Sequence, residues 1–477
     1  MAWHRIGWSV AAMLLAASGA LVVAQAPATI PTWLAPKIAN LPPEKRDFLM
    51  SDRTGSFAAR KELLFKRFET KSPAEIEAYI DGMMAVVADR KFHPGSDAPN
   101  IPLDTSDDAF NGWRTLRPSS LDTPRSAGPI NLNRYMSAGP KQGIPTFFNL
   151  PVALTPADLK AGQVDVAIMG IGLDMGSGYR GAAYGPRAVR TGEVYKGQFP
   201  VTPENMTVMV SPFVELNVVD YADIAVDPMS TERSLTHIRE QVAAVARTGT
   251  IPMIVGGDHS LMYPDAAAMA DVFGKGKVGV VHFDAHFDAQ QGGEHLMSHG
   301  QPVYRLFKEG HIPGKNFIQI GLRGYWPDAK SFQWMREQGF RYHPMAEVEK
   351  TDWKTVMDRA VREARDGPEK IFISFDVDVL DPAFMSGTGT PEPGGLTMRE
   401  ALPIVRRLCA ETNVVGFELV ETNPLVDPGY TSALNANRIL RECLTGLAMR
   451  KRGLTSEHYL SPLTTDHGLK PFPVRKQ

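Results

Sequence analysis

The chain has 477 residues, 43% hydrophobic and 22% charged, which is ordinary for a soluble globular protein. Its 51 lysines and arginines against 53 aspartates and glutamates leave a net charge of −2, so nothing electrostatic favours nucleic acid or an anionic membrane surface as main partner. Two cysteines are too few for a disulfide scaffold or a thiolate zinc site, whereas six of the twelve histidines crowd into residues 259–311 and suggest a metal or proton-transfer site.

At the N-terminus, Arg5 is followed by the apolar run Gly7–Val23 and the small residues Ala24-Gln25-Ala26. This predicts a secretory signal over residues 1–26, with an uncleaved membrane anchor as the alternative, and hence an exported protein. Residues 27–125 read as a helical extension and linker. Ser72-Pro73-Ala74-Glu75 is a capping box, and Ile76, Ile80, Met83 and Val87 follow at helical spacing. An earlier helix is expected around Phe57–Phe68, and residues 93–125 are rich in Pro, Ser and Asp. Packing or assembly is the expected role of this region.

From about residue 150, short β-rich runs alternate with helical stretches. The runs are Val164–Gly170, Thr250–Val255, Val278–Phe283, Ile371–Phe375 and Val414–Leu419; Glu232–Ala246 and Trp353–Arg365 are helical in period. The alternation predicts an α/β domain with a mostly parallel sheet over residues 126–450, followed by a polar tail, 451–477. Cys409 and Cys443 fall in predicted helices; export would permit a disulfide, and two buried thiols are the equal alternative.

Four of the runs end in polar clusters: Gly256-Gly257-Asp258-His259-Ser260, Asp284-Ala285-His286-Phe287-Asp288, Asp376-Val377-Asp378-Val379-Leu380-Asp381 and Glu421-Thr422-Asn423-Pro424. In open α/β sheets the crevice lies beyond the carboxyl ends of the strands, so these clusters should converge. Asp284, Asp288, Asp376 and Asp378 would then put four negative charges in one place, which cannot stay ionised together without cations. Two divalent ions would supply the balance, with His259 and His286 as neutral nitrogen ligands. Carboxylate and imidazole without thiolate suits Mn²⁺, with Fe, Co, Ni or Zn also compatible.

The segments GGDHS, DAHFD and SFDVDVLDP resemble the three metal-binding signatures of the ureohydrolases, the arginase and agmatinase family. The similarity runs over roughly residues 140–450. Gly143–Phe147 with Leu150-Pro151, the stretch 176–190, Asp220–Asp223 and GTGTPEPGGLT (387–397) resemble the agmatinase branch. The resemblance implies a three-layer αβα sandwich and two Mn²⁺, with Ni²⁺ as the variant metal. His259, Asp284, His286, Asp288, Asp376 and Asp378 would be the six ligands, with Asp258 and Asp381 orienting them from behind.

It also implies a reaction in which a metal-held water attacks a guanidinium to release urea and an amine. Asp288 would manage the proton of that water, Glu421 would hold the guanidinium through paired hydrogen bonds, and His299 would transfer protons. Glu294, in the loop 289–298, could pair with the terminal amine of agmatine. Guanidinobutyrate, guanidinopropionate, free guanidine and a formimino compound are the alternative substrates. A non-catalytic guanidino-binding protein is the alternative of another class. Family members are usually trimers or hexamers, so a homo-oligomer is expected. Glu418 and Met385-Ser386 depart from the family's usual Asp and Ala-Pro.

Overall fold

The computed structural model describes residues 29–58, 60–88, 124–132, 143–192, 204–291, 297–427, 429–456, 458–466 and 468. The signal expected at 1–26 and Glu294 lie outside them. No helix among the described residues is long and apolar enough to cross a membrane. The chain divides into two compact units, the described parts of which are 29–88 and the residues from 124 onward.

The first unit is helical: α1 (Pro43–Met50), α2 (Lys61–Lys66) and α3 (Pro73–Ala88) enclose Leu34, Phe48, Leu49, Leu64, Phe65, Phe68, Ile76, Ile80 and Met83. The capping box forms as the sequence reads: the Ser72 amide donates to Glu75 Oε2 at 2.7 Å, and the Glu75 amide to Ser72 Oγ at 3.3 Å. The helix expected over Phe57–Phe68 is shorter, because a 3-10 turn ends at Ser56 and α2 begins only at Lys61. Val86, rather than Val87, takes the last buried position of α3.

The second unit is built on eight strands, all parallel to their neighbours, in the order β2-β1-β3-β8-β7-β4-β5-β6. They are β1 (Val166–Ile171), β2 (Val218–Ile224), β3 (Ile251–Val255), β4 (Val278–Phe283), β5 (Phe317–Ile320), β6 (Arg341–His343), β7 (Lys370–Asp376) and β8 (Asn413–Val420). Sequence reading finds five of the eight. It misses β2, with its polar Asp-Tyr-Ala-Asp segment, and β5 and β6, of four and three residues.

Because both faces of a parallel sheet are covered by crossover helices, its strands are apolar throughout, and alternate residues feed separate cores. Val281 and Phe283 of β4 pack with helices α6 (Trp353–Arg365), α7 (Met398–Glu411) and α8 (Thr431–Lys451). Val278 and Val280 pack on the opposite face with α4 (Thr231–Ala246) and α5 (Met262–Phe273). These three layers are the αβα sandwich. The expected tail starts late: Tyr459 packs into the core that holds α7 and α8, and the Ser461 amide donates to the Thr207 carbonyl at 2.9 Å.

Cys409 and Cys443 form a disulfide between α7 and α8, with Cα atoms 5.3 Å apart. The two residues are 34 apart in sequence, so the bond removes a moderate loop from the unfolded ensemble. Peptide mapping without reductant is expected to recover the linked pair, and Cys409→Ser with Cys443→Ser to lower unfolding free energy by about 2–4 kcal/mol. Free thiols in the oxidised protein, or unchanged stability, would contradict this.

Candidate metal centre

The four central strands, β3, β8, β7 and β4, are adjacent, and each delivers its polar cluster at its carboxyl end. Asp258-His259 follow β3, Asp284 follows β4, Asp376 closes β7 and Glu421 follows β8. The turn after β3 needs Gly257, where a Cβ would stand 1.6 Å from the Leu173 carbonyl oxygen. Asp258 caps the next turn: its side chain accepts from the amides of Ser177 at 2.8 Å and Ser260 at 3.1 Å, which aims His259 at the sheet's end. Asp288 and Glu421 both sit at positive φ, 47° and 64°. Non-glycine residues adopt this at a cost of about 1–3 kcal/mol, a strain that gathers at functional sites.

Three carboxylates converge on one imidazole nitrogen. His259 Nδ1 lies 2.8 Å from Asp288 Oδ2, 3.0 Å from Asp284 Oδ2 and 3.2 Å from Asp376 Oδ2. None of these contacts has the angle of a hydrogen bond, so Nδ1 is buried without a partner. A second group lies alongside: His286 Nδ1 is 2.9 Å from Asp378 Oδ2 and 3.4 Å from Asp284 Oδ1. Asp284 thus turns one oxygen to each group. His259, Asp284 and His282 on one side, and Asp284, His286 and Asp378 on the other, offer donor atoms close enough to hold an ion.

The electrostatics fit cations. Burial resists charge on His259, yet Asp284, Asp288 and Asp376 pull its pKa well above the ordinary value. His286, likewise opposed by burial, is pushed up to about 12 by Asp284 and Asp378. Burial, then Asp284, raises Asp378 to about 6, and burial with Asp378 and Asp284 raises Asp376 well above its usual range. A field that draws protons onto the buried imidazole of His259 and the part-buried one of His286 would hold divalent cations in their place. The mixed oxygen and nitrogen donors, with the unpartnered Nδ1, fit two such ions.

Beside this cluster, Glu421 Oε1 accepts from the His259 amide at 3.0 Å and pairs with His299 Nδ1 at 2.9 Å. Its Oε2 is buried and has no partner. Only Oε2 is therefore free to accept from a ligand. His299 is held at about 9: burial works against the charge, but Glu421, then Asp288 and Asp258, outweigh it. Asp381 touches none of these groups; it ties its own loop by accepting from the amides of Ala383 at 2.9 Å and Gly394 at 2.8 Å.

Three supporting residues escaped sequence reading. His282 Nε2 lies 2.9 Å from Asp284 Oδ2, and its Nδ1 lies 2.9 Å from the Gln319 amide nitrogen, which also donates to the Phe287 carbonyl. The imidazole must therefore accept at Nδ1 and donate at Nε2. Ser374 Oγ is 2.9 Å from His259 Nε2. Gln319, His282 and Ser374 are register neighbours on β5, β4 and β7. The available signal was a single polar residue inside an apolar stretch of each strand: His282 in VGVVHF, Gln319 in FIQI and Ser374 in IFISF.

The model of the Arginase family matches residues 164–446. The chain belongs to that family. It is 36% identical over 303 residues to a guanidinobutyrase of Pseudomonas aeruginosa, covering 62% of this chain and 90% of the relative. The crystal structure of a hypothetical agmatinase from Burkholderia thailandensis superposes with a TM-score of 0.59 at 29% identity, over 69% of this chain and all of that one. A Trypanosoma cruzi formiminoglutamase solved with Mn²⁺ gives a TM-score of 0.54 at 27% identity, over 60% and 95% of the two chains. The protein is an amidinohydrolase of the agmatinase-like branch, a hydrolase of linear amidine C–N bonds.

In metal-free protein His299 is expected to titrate near 9 by NMR. Glu421→Gln removes the largest stabiliser of its charge and should bring it toward the ordinary value of about 6.5. The stability from this pairing is then complete below about 6.5 and lost as pH rises through 9. An unchanged titration in the variant would contradict the pairing.

Proposed function

We propose that the protein hydrolyses a small linear guanidino compound of the agmatine type to urea and an amine, using two divalent cations, Mn²⁺ in the first instance and Ni²⁺ as the alternative. The observation that carries this reading is the buried, unpaired Oε2 of Glu421, beside His299 and linked through the His259 amide to the carboxylate cluster. An unpaired buried carboxylate oxygen is costly, and a planar cation bearing N–H groups satisfies it.

His259, Asp284, Asp288 and Asp376 would hold one cation, and Asp284, His286 and Asp378 the other. When bound, the pair would polarise a water so that it is nucleophilic near neutral pH. The chain's own residues do the rest. Glu421 Oε2 accepts from the guanidinium and fixes its plane. Asp288, held at a positive φ with its oxygen 2.8 Å from His259, takes the proton of the attacking water. His299 is protonated at neutral pH and a quarter exposed, so it can give a proton to the departing amine and recover one from solvent.

Similarity to a guanidinobutyrase and a hypothetical agmatinase supports a short linear tail on the substrate. The reading includes export, supported by the N-terminal apolar run and by a disulfide that an oxidising compartment would maintain. A homo-trimer or hexamer is its assembly.

Protein reconstituted with Mn²⁺ or Ni²⁺ is expected to release urea from at least one of agmatine, guanidinobutyrate, guanidinopropionate and guanidine, fastest from agmatine. Asp288→Ala and Asp378→Ala should bring release below detection with the fold intact by circular dichroism. Metal-loaded protein that releases urea from none of the panel would overturn the reading.

A further inference from the structure

The loop after β1 runs along the rim of the site and is tied to it at both ends. Its Gly176 carbonyl accepts from the His299 amide at 3.1 Å, and its Ser177 amide donates to Asp258 at 2.8 Å. Further on, the Arg180 carbonyl accepts from the Asn423 side chain at 3.2 Å, and the Gly181 amide donates back to Asp174 at 2.8 Å. Gly181, at a φ of 129°, must be glycine, because a Cβ would stand 2.2 Å from Asn423 Oδ1. Residues 174–181 are thus pinned between His299 and the segment that follows Glu421.

Tyr179 stands between those anchors. Its amide donates to the Ser177 hydroxyl at 3.0 Å, which holds the backbone, yet its side chain is 59% exposed. What it borders is the free oxygen of Glu421. A Cβ on Gly389 would lie 3.8 Å from Glu421 Oε2, 2.9 Å from Tyr179 Cβ and 3.5 Å from Tyr179 Cγ. The absence of a side chain at Gly389 therefore keeps clear the space between the tyrosine and the oxygen. His299 occupies the other oxygen, Oε1, at 2.9 Å. A ligand held at Oε2 has His299 on one flank and Tyr179 on the other.

A tyrosine ring on a pinned backbone, mostly exposed beside a ligand seat, has apolar area that a ligand can cover. The part of the substrate that can use this area is the uncharged part, the methylenes next to the guanidinium. Each methylene taken fully out of water is worth about fourfold in affinity, so a ring covering one side of a short chain supplies about tenfold.

We propose that Tyr179 is a specificity-determining residue: its ring packs on the alkyl chain of a substrate whose guanidinium is held at Glu421 Oε2, and so separates guanidines that carry a tail from those that do not. The proposal rests on the reading of Oε2 as the guanidinium's acceptor, but not on the charge at the far end of the tail.

The test uses Mn²⁺-loaded protein and two probes, butylguanidine and methylguanidine, which carry the same cation and differ in the length of the tail. Calorimetric titration, or KM where a probe is hydrolysed, gives the affinity for each. The parent should prefer butylguanidine by about tenfold, and Tyr179→Ala should bring the two probes within about threefold of each other. Tyr179→Phe and Tyr179→Trp should keep the parent's preference, since ring area and not the phenol carries it. A role confined to holding the loop would weaken both probes alike and leave their ratio untouched. A ratio unchanged in Tyr179→Ala, or lost equally in Tyr179→Phe, overturns the proposal and leaves the reading of Oε2 standing. A parent that binds neither probe removes that reading, and this proposal with it.

Discussion

The structure depends on carboxylates gathered where water cannot screen them. Asp284, Asp288 and Asp376 each place an oxygen within 3.2 Å of one histidine nitrogen, and Asp378 completes the group through His286. A fold that holds these charges together without counter-ions works against itself. Cations at the site would offset that repulsion, so binding them would stabilise the fold as well as supply the chemistry.

The sheet makes this gathering possible. Parallel strands end on the same side, and the four that carry polar clusters are neighbours in space although they are third, fourth, seventh and eighth in the chain. One residue pair deeper, the same strands carry Ser374, Glu418 and His282 between apolar neighbours. The site is thus two tiers: a rim that meets ligand, and a buried row that holds the rim's imidazoles and carboxylates in one orientation. Strain at Asp288 and Glu421 belongs to the rim, where the backbone departs from the strands and turns the side chains inward.

Much of this is legible in the sequence because hydrophobic runs ending in Asp and His state both the strand and the charge problem. β4 falls where its unbroken apolar run puts it, and α6 where a strong helical period does. β5 and β6 are too short to show a period, and β2 is too polar to read as buried. The buried row was hidden for a different reason. A lone His282, Ser374 or Gln319 in an apolar strand says nothing until register shows that they touch. The free oxygen of Glu421 likewise depends on His299 folding back across a loop to occupy the other.

The measurement that bears most directly on this account is the Mn²⁺ stoichiometry of the metal-free protein, by calorimetric titration at neutral pH. Two ions per chain, with proton release as His259 and His286 give up their protons, is the expected result. No binding, or saturation by a single ion without proton release, would show that the carboxylate cluster does not hold two cations and that the account is wrong.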